Sequence, residues 1–215
     1  MSVRIDAVLT GQAVAFGSKG EPSAIAKKPV TDVLSVGLLG LLGDEQGDLI
    51  HHGGIDKAVH HYPRDHYPFW KGELADHPLL DKVGAFGENI STLGLKEDAI
   101  CIGDRFRLGS AIVEVSQGRQ PCWKLGHRFG NAMVPLQMVS SGKSGWYYRV
   151  IKPGVVCVGD TINLINRPCP NWTVALVFHL LIGGGSKKDR NLLRELAKLS
   201  KLSESWRSRA KNLAN

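Results

Sequence analysis

Two similar nine-residue stretches constrain the fold of this chain more than any other feature of its sequence. They read ICIGDRFRL at 100–108 and VCVGDTINL at 156–164. In each, short runs of alternating apolar and polar residues flank a Gly-Asp pair, which is the pattern of half-buried antiparallel strands joined by a turn. The repeat therefore favours a β structure made of two similar halves.

Further short strands are predicted elsewhere in the first three quarters of the chain. The runs VRIDAVL (3–9) and AIVEVS (111–116) show the same alternation. Short strands with Gly and Asp turns, recurring over roughly 150 residues, are typical of a barrel or a sandwich. The 215 residues, of which 43% are hydrophobic, suffice for one sizeable core. We predict a mainly β fold with added helices, in which residues 1–168 form a β-barrel.

The pattern changes to a helical one after two prolines at 168 and 170. Apolar residues then recur at helical spacing in three groups, namely Val174, Val177, Phe178 and Leu181; Leu192, Leu193, Leu196 and Leu199; and Trp206, Ala210 and Leu213. Asn171, the capping-box-like run Ser186 to Asp189, and Ser203 are the expected N-terminal caps. Residues 169–215 are predicted to form a small three-helix domain.

The positive charge is concentrated in this predicted helical region. Residues 183–215 contain nine Lys or Arg against three Asp or Glu, a balance of +6 out of a total of +7. A basic tail of this kind could meet nucleic acid or an acidic protein. A solvated helical face is the favoured interpretation.

The cellular setting is predicted to be the cytoplasm. The start, MSVRIDAVLTGQ, lacks the apolar stretch of a secretory signal. The longest apolar run, at 173–185, is shorter than the ~20 residues that a bilayer-spanning helix needs. The four cysteines have no close pair, which predicts thiols in a reducing compartment.

One of the four cysteines differs in its surroundings from the others. Cys101 and Cys157 occupy the same place in the repeat and are expected to be packing residues, and Cys169 falls in the linker. Cys122, in SQGRQPCWKL (116–125), follows a predicted strand and lies near Arg119 and Lys124 in sequence. Neighbouring cations favour the reactive thiolate form. The sequence leaves a nucleophile, a metal ligand and a packed thiol as alternatives for Cys122.

A histidine-rich stretch, HHGGIDKAVHHY (51–62), is the second candidate for a functional site. His52 precedes Gly53 and Gly54, whose backbone N–H groups could approach an anion closely. The spacing of the histidines matches no zinc pattern, and the others are expected to have solvent-facing rings on strands.

The residues of two further segments could have either a structural role or a role in ligand binding. Lys27 and Lys28, in PSAIAKKPV, are surface lysines or part of an anion pocket. Glu88 and Asn89, in GAFGENI, could stabilise a turn or bind a ligand, and the turn is the favoured interpretation. Together the candidates are consistent with an anionic cofactor or a phosphorylated substrate.

These residues also carry a resemblance to a known family. The chain contains in succession the segments KKPV, GLLGLLGDEQGD, HHGGIDKAVHHYPRDHY, FGENIS, IGDRFRLG, SQGRQPCWKL and GWYYRV. This succession resembles the MOSC family, which is named after the C-terminal part of molybdenum cofactor sulfurase. The helical tail is similar to the extension of the YiiM-type subgroup, so the resemblance covers nearly the whole chain.

The resemblance implies a MOSC-type β-barrel that binds a molybdopterin-type molybdenum cofactor; pyridoxal phosphate is not expected. It places the cysteine near the metal at Cys122, the arginine before it at Arg119, the histidine of the HGG motif at His52, and the N-terminal lysine at Lys27. The implied cofactor-binding set also includes Gly53 and Gly54. Gly118 departs from the family pattern, which usually has proline there.

The resemblance further implies an enzyme that reduces N-hydroxylated compounds, such as hydroxylaminopurine base analogues, in a detoxification role. Cys122, His52 and Arg119 would form its catalytic set, with Cys122 as the molybdenum ligand. The alternative is a carrier that holds the cofactor or sulfur on Cys122. The expected partners are a small substrate, a separate flavin or iron–sulfur electron donor that docks on the basic tail, and a second copy in a homodimer; neither a membrane nor nucleic acid is expected.

Overall fold

The computed structural model describes residues 1–47, 53–185 and 189–215. The strands in these ranges are β1 (Ser2–Thr10), β2 (Val14–Phe16), β3 (Glu21–Ser23), β4 (Lys28–Val30), β5 (Leu34–Gly37), β6 (Gly40–Leu41), β7 (Val59–Pro63), β8 (Ile90–Thr92), β9 (Arg105–Leu108), β10 (Ala111–Gly118), β11 (Trp146–Lys152), β12 (Gly154–Val156) and β13 (Thr161–Asn166). The helices are α1 (Tyr67–Glu73), α2 (Trp123–Arg128), α3 (Val134–Ser141), α4 (Val174–Leu181), α5 (Arg190–Lys198) and α6 (Glu204–Ala214). Short 3₁₀ turns cover Ile55–Lys57, Arg64–His66 and Pro78–Asp81.

Seven strands close into a barrel, as the sequence predicts. Their order around it is β13, β9, β10, β11, β7, β8 and β1, and β1 pairs with β13 to complete the circle. The pairing of β7 with β8 is parallel, whereas the other barrel pairings are antiparallel. β4 extends the sheet beyond β1. Closure removes the open strand edges that a flat sheet would expose.

The repeated Gly-Asp pairs form matching turns, which confirms the interpretation of the repeat. The Oδ2 atoms of Asp104 and Asp160 each accept a hydrogen bond, 2.9 Å long, from the backbone N–H three residues earlier. Gly103 and Gly159, the glycines of the two turns, have φ values of +81° and +88°. This left-handed conformation is strained for residues with a side chain, so both turns depend on glycine.

The three predicted C-terminal helices are present and pack on the barrel. Their apolar residues share one buried cluster with the barrel interior. Ser203 caps α6 as expected. Asp189 is itself the N-cap of α5, whereas the capping-box pattern placed it three residues after the cap, and the cap of α4 is Thr173 rather than Asn171. Thr173 accepts a hydrogen bond from the N–H of Leu176 at 3.1 Å. Ser186, the other expected cap, lies outside the described residues.

The sequence analysis predicted none of the helices α1 to α3, which cover one side of the barrel around a second apolar cluster. This cluster contains Tyr62, Trp70, Phe86, Leu125 and Met138 among others. The rings of Tyr62 and Phe86 stack with centroids 4.1 Å apart. α2 and α3 are short, six and eight residues, so their packing on this cluster contributes more to their stability than helix propensity does.

Gly118 lies where the C-terminal helices meet the end of β10. A Cβ atom at this position would lie 3.0 Å from the Trp206 ring and 3.3 Å from the Phe178 ring. Any side chain, including the proline of the family pattern, would press on α4 and α6. The glycine at this position leaves room for the two rings.

No helix in the described ranges is long and apolar enough to cross a membrane. No disulfide links the four cysteines, all of which lie in the described part of the chain.

We expect Gly118→Val to lower the free energy of unfolding by about 1–3 kcal/mol, since a Cβ alone would already lie 3.0 Å from the Trp206 ring. Urea denaturation measures the change. Gly72→Val is the matched control, because a Cβ at Gly72 meets nothing within 4 Å. An unchanged stability of the Gly118 variant would contradict this packing account.

Candidate functional site

A pocket of about 690 Å³, including its part open to solvent, lies at one end of the barrel. Its wall is formed by the segments 23–27, 44–47, 57–60, 86–89 and 119–124, together with Tyr147 of β11. Lys27, Arg119 and Cys122, which are far apart in sequence, all line this pocket. The fold thus brings together three of the predicted site residues.

Cys122 is placed by the junction between β10 and α2. It has an extended backbone (φ −130°, ψ 172°) and is the N-cap residue of α2, so its carbonyl accepts a hydrogen bond from the N–H of Leu125 at 3.1 Å. Its side chain makes no capping hydrogen bond and lines the pocket. Cys122 is half-buried, and its place in the pocket wall gives a ligand access to it.

The other three cysteines are poor candidates for thiolate chemistry. Desolvation is the largest cause that raises the pKa of Cys101, Cys157 and Cys169. A raised pKa keeps a thiol protonated at neutral pH. Cys101 is buried, as the packing interpretation predicts, but Cys157 is half-exposed. None of the three lines the pocket.

Arg119 presents a buried positive charge to the pocket. The residue is only 5% exposed. Its guanidinium donates hydrogen bonds to the Met138 sulfur at 3.0 Å and to the Phe86 carbonyl at 3.5 Å. No carboxylate in the described part of the chain forms an ion pair with it. A buried cation with such weak partners is suited to an anionic ligand.

Lys27 differs from Arg119 because it has an anionic partner. Its ammonium group forms a buried ion pair with Asp44. Asp44 also accepts hydrogen bonds from the Gly11 N–H (2.8 Å) and the Asn89 side-chain amide (2.7 Å). Burial lowers the pKa of Lys27, and the Asp44 carboxylate opposes that shift. The pair keeps the ammonium group charged at the pocket wall.

Lys124, the other cation near Cys122 in sequence, is directed at the β2–β3 hairpin. Its ammonium group is largely buried and donates to the Pro22 carbonyl at 2.7 Å. It lines the pocket and ties α2 to β3.

His60 is a pocket residue that the sequence analysis missed. It and His61 lie on β7 as expected, but both rings are buried rather than solvent-facing. All residues of β7 are buried, so the sequence lacks the alternation of apolar and polar residues that would show which face of the strand is exposed. Burial and the positive charge of Arg119 hold the pKa of His60 well below its usual value. The ring is therefore neutral.

The hydrogen bond of His60 fixes its tautomer. Nδ1 lies 3.1 Å from the Gly87 carbonyl oxygen, an acceptor, so Nδ1 carries the proton. Nε2 is then a lone-pair acceptor, and it is buried with no hydrogen-bond partner among the described residues. The ring packs against Tyr147, with centroids 5.0 Å apart. Such a buried acceptor in a pocket wall is available to a ligand donor.

The remaining predicted site residues are not part of the described pocket wall. His52 and its neighbour His51 lie outside the described residues. Gly53 and Gly54 are described but do not line the pocket. The N–H of Gly54 donates to the Gln46 side chain at 3.2 Å, so an anion would have to displace that bond to use it.

Glu88 and Asn89 form a turn, as expected. Glu88 accepts hydrogen bonds from the backbone N–H groups of Gly84 (2.7 Å) and Phe86 (3.1 Å). The Asn89 side chain bonds the backbone of Leu9 and His60. Both residues hold the pocket wall in place.

The donors in the pocket fit a cofactor that combines a soft metal with anionic groups. Cys122 supplies a sulfur ligand, and thiolates suit metals that already carry sulfur ligands. Arg119 supplies a buried cation without a carboxylate partner, and His60 Nε2 supplies an unused acceptor. In the described part of the chain no group of three His, Cys, Asp or Glu could hold a metal ion alone. Cys122 is the residue of the described pocket wall that could add a sulfur ligand to such a cofactor.

Comparison with known proteins gives matches along most of the chain. The model of the MOSC domain matches residues 48–163. Protein YiiM of Escherichia coli is 40% identical over 202 residues, which cover 93% of this chain and 87% of that protein. The crystal structure of YiiM from Geobacillus stearothermophilus superposes with a TM-score of 0.82 at 30% identity, covering all of both chains.

A protein of Gibberella moniliformis named "Reductase" is also similar. It is 40% identical over 178 residues, which cover 82% of this chain but 31% of the fungal protein. The similar region is therefore a minor part of that longer chain.

We expect the buried histidines to make stability depend on pH. Burial lowers the pKa of His61 to about 3, and that of His60 is also lowered. Unfolded histidines titrate near 6.5, so the unfolded state binds more protons below that pH. Stability contributed by the neutral rings is present above pH 6.5 and is lost as the pH falls toward 3.

The measurement is the free energy of unfolding between pH 4 and 6 for the wild type and His61→Gln. The variant should flatten the slope by about 1.4 kcal/mol per pH unit, the value for one proton. Equal slopes for the wild type and His61→Gln would refute the assignment of a neutral His61.

We expect Asp44→Asn to destabilise the fold by about 3 kcal/mol, since it leaves the buried Lys27 ammonium group without its anionic partner. The double variant Lys27→Met/Asp44→Asn should regain most of that loss, because it removes the buried charge. Chemical denaturation of the two variants provides the comparison. If the double variant is no more stable than Asp44→Asn, the unpaired charge of Lys27 is not the cause of the destabilisation.

Proposed function

Because the chain belongs to the MOSC domain family, we propose that it binds a molybdopterin-type molybdenum cofactor in this pocket and reduces N-hydroxylated compounds with it. The similarity to YiiM over nearly the whole chain supports a common role for the barrel and the helices. The name "Reductase" of the fungal relative supports the reaction class.

The observation that carries this proposal is the meeting of Cys122 and Arg119 in one pocket. The thiol is partly exposed to the pocket, and the guanidinium is buried there without a carboxylate partner among the described residues. A sulfur ligand beside a buried cation suits a metal centre with anionic groups. Lys27 adds a second cation for the phosphate that this cofactor carries.

When bound, the cofactor supplies the two-electron chemistry that cleaves the N–O bond. The overall change is R–NHOH + 2 e⁻ + 2 H⁺ → R–NH₂ + H₂O. Cys122 would hold the metal as thiolate, and Arg119 would donate hydrogen bonds to the anionic groups of the cofactor. Lys27, fixed by Asp44, contributes charge at the far wall.

The two histidines have different proposed roles. His60 is neutral with Nδ1 bonded to Gly87, so Nε2 would accept a hydrogen bond from the bound group and orient it without protonating it. His52 is the proposed proton donor at neutral pH. Its assignment, like those of Gly53 and Gly54, rests on the family motif.

The alternative from a different class is a carrier that holds the cofactor or sulfur on Cys122. The partial exposure of the Cys122 thiol suits transfer to another protein as well as turnover. The two proposals share the pocket and differ in whether the loaded protein consumes substrate.

Metal analysis tests the role of Cys122. Protein made in a host that synthesises the cofactor should contain molybdenum near one equivalent, and Cys122→Ala should lose most of it with its fold unchanged. Cys157→Ala is the matched control, because Cys157 lies outside the pocket and should keep the metal. Equal molybdenum in both variants would remove Cys122 from the metal's ligands.

A turnover assay separates the enzyme from the carrier. With a reduced viologen dye as donor, cofactor-loaded protein should convert a hydroxylaminopurine to the aminopurine, and cofactor-free protein should not. Loaded protein that binds molybdenum through Cys122 but never turns over would favour the carrier. Turnover by cofactor-free protein would refute a molybdenum-dependent reaction.

A further inference from the structure

A basic groove lies beside the pocket, on the other side of the segment that contains Lys27. Lys27 lines both cavities. The groove is bordered by Lys28, Lys82 and Arg128, and its apolar surface includes Leu79 and Val83. A cationic rim around an apolar floor is typical of a surface that binds a protein partner.

The charge of this groove has one sign. None of the described residues that line it is a carboxylate. Lys28 and Lys82 are exposed, and Asp81, the acidic neighbour of Lys82, is paired with Lys71 at 2.9 Å. The exposed cations can therefore attract an acidic surface.

Arg128 connects the groove to Cys122 through α2. The helix begins directly after Cys122 and ends at Arg128, which is about 9 Å along its axis at 1.5 Å per residue. The Arg128 guanidinium donates to the Ala85 carbonyl (2.9 Å) and the Gly84 carbonyl (3.0 Å). These bonds fix the groove wall relative to the pocket.

We propose that this groove docks an acidic flavoprotein that delivers electrons to the pocket. The proposal rests on the proposed function, whose reaction consumes two electrons and two protons for each N–O bond cleaved. A flavin hydroquinone in the partner supplies both electrons and is oxidised to the quinone form. The substrate nitrogen retains its carbon bond and gains hydrogen, and the oxygen leaves as water.

The C-terminal helices are a weaker candidate for this docking, although they hold most of the net charge. Lys201 is paired with the buried Glu114 at 3.2 Å, and Arg209 donates to the Leu181 carbonyl at 2.7 Å. Asp189, Glu195 and Glu204 are interspersed among the remaining cations. Their charge is therefore mixed, whereas that of the groove is not.

Binding of a purified acidic flavodoxin to the full chain tests the proposal without any molybdenum. Lys28→Glu/Lys82→Glu should raise the Kd about tenfold or more at low ionic strength. Lys198→Glu/Lys211→Glu is the matched control, since it changes the net charge equally at exposed positions of α5 and α6, and should change Kd less than twofold. High salt should weaken wild-type binding and reduce the difference between the variants.

Three results would overturn the docking proposal. The first is that the wild type does not bind flavodoxin, and the second is that the C-terminal control loses more affinity for flavodoxin than the groove variant does. The third is that a single-stranded oligonucleotide binds more tightly than flavodoxin, in a way that depends on the groove charges.

Turnover distinguishes a failure of this proposal from a failure of the proposed function. In cofactor-loaded protein, the groove variant should keep viologen-driven turnover and lose most flavodoxin-driven turnover. Absence of viologen-driven turnover in the wild type would refute the reductase function. Normal viologen-driven turnover with flavodoxin-driven turnover that is insensitive to the groove charges would refute only the docking surface.

Discussion

The pairing of β1 with β13 is the interaction on which the rest of the structure depends. The first residues of β1 pair with β13 and close the barrel, whereas its last residues pair with β8 and β4. Directly after β1, the Gly11 N–H donates to Asp44 at 2.8 Å. Asp44 in turn holds the Lys27 ammonium group. One strand therefore links barrel closure to the charge arrangement of the pocket.

The charges in the pocket are of two kinds. The Lys27 charge is compensated by Asp44 within the protein. The Arg119 guanidinium donates to the Met138 sulfur and the Phe86 carbonyl and forms no ion pair with a carboxylate in the described part of the chain, so its desolvation is offset when an anion binds. Both cations line the pocket, but Arg119, without a carboxylate partner among the described residues, has the greater need of an anionic ligand.

Features encoded by neighbouring residues could be predicted from the sequence. The Gly-Asp turns at Asp104 and Asp160 and the cap at Ser203 depend on local hydrogen bonds, which sequence spacing reveals. The closed barrel followed from the repeat. The boundary at residues 168 and 169 stays a prediction, since the helices and the barrel share one apolar cluster.

Features that depend on tertiary contacts could not be predicted in this way. Leu213 was expected on the buried face of α6, but it is 36% exposed and Ala214 is buried instead. The neutral state of His60 depends on burial and on Arg119, which is 59 positions further along the chain. The convergence of Lys27, Arg119 and Cys122 was implied only by the family resemblance, because no local pattern reports which loops meet.

The central claim is that the Cys122 thiolate binds molybdenum directly. X-ray absorption at the molybdenum edge of the cofactor-loaded wild type tests it, because the spectrum reports the sulfur atoms bound to the metal. The account predicts one sulfur ligand more than the pair that a dithiolene supplies. A spectrum with the dithiolene sulfurs alone would contradict it.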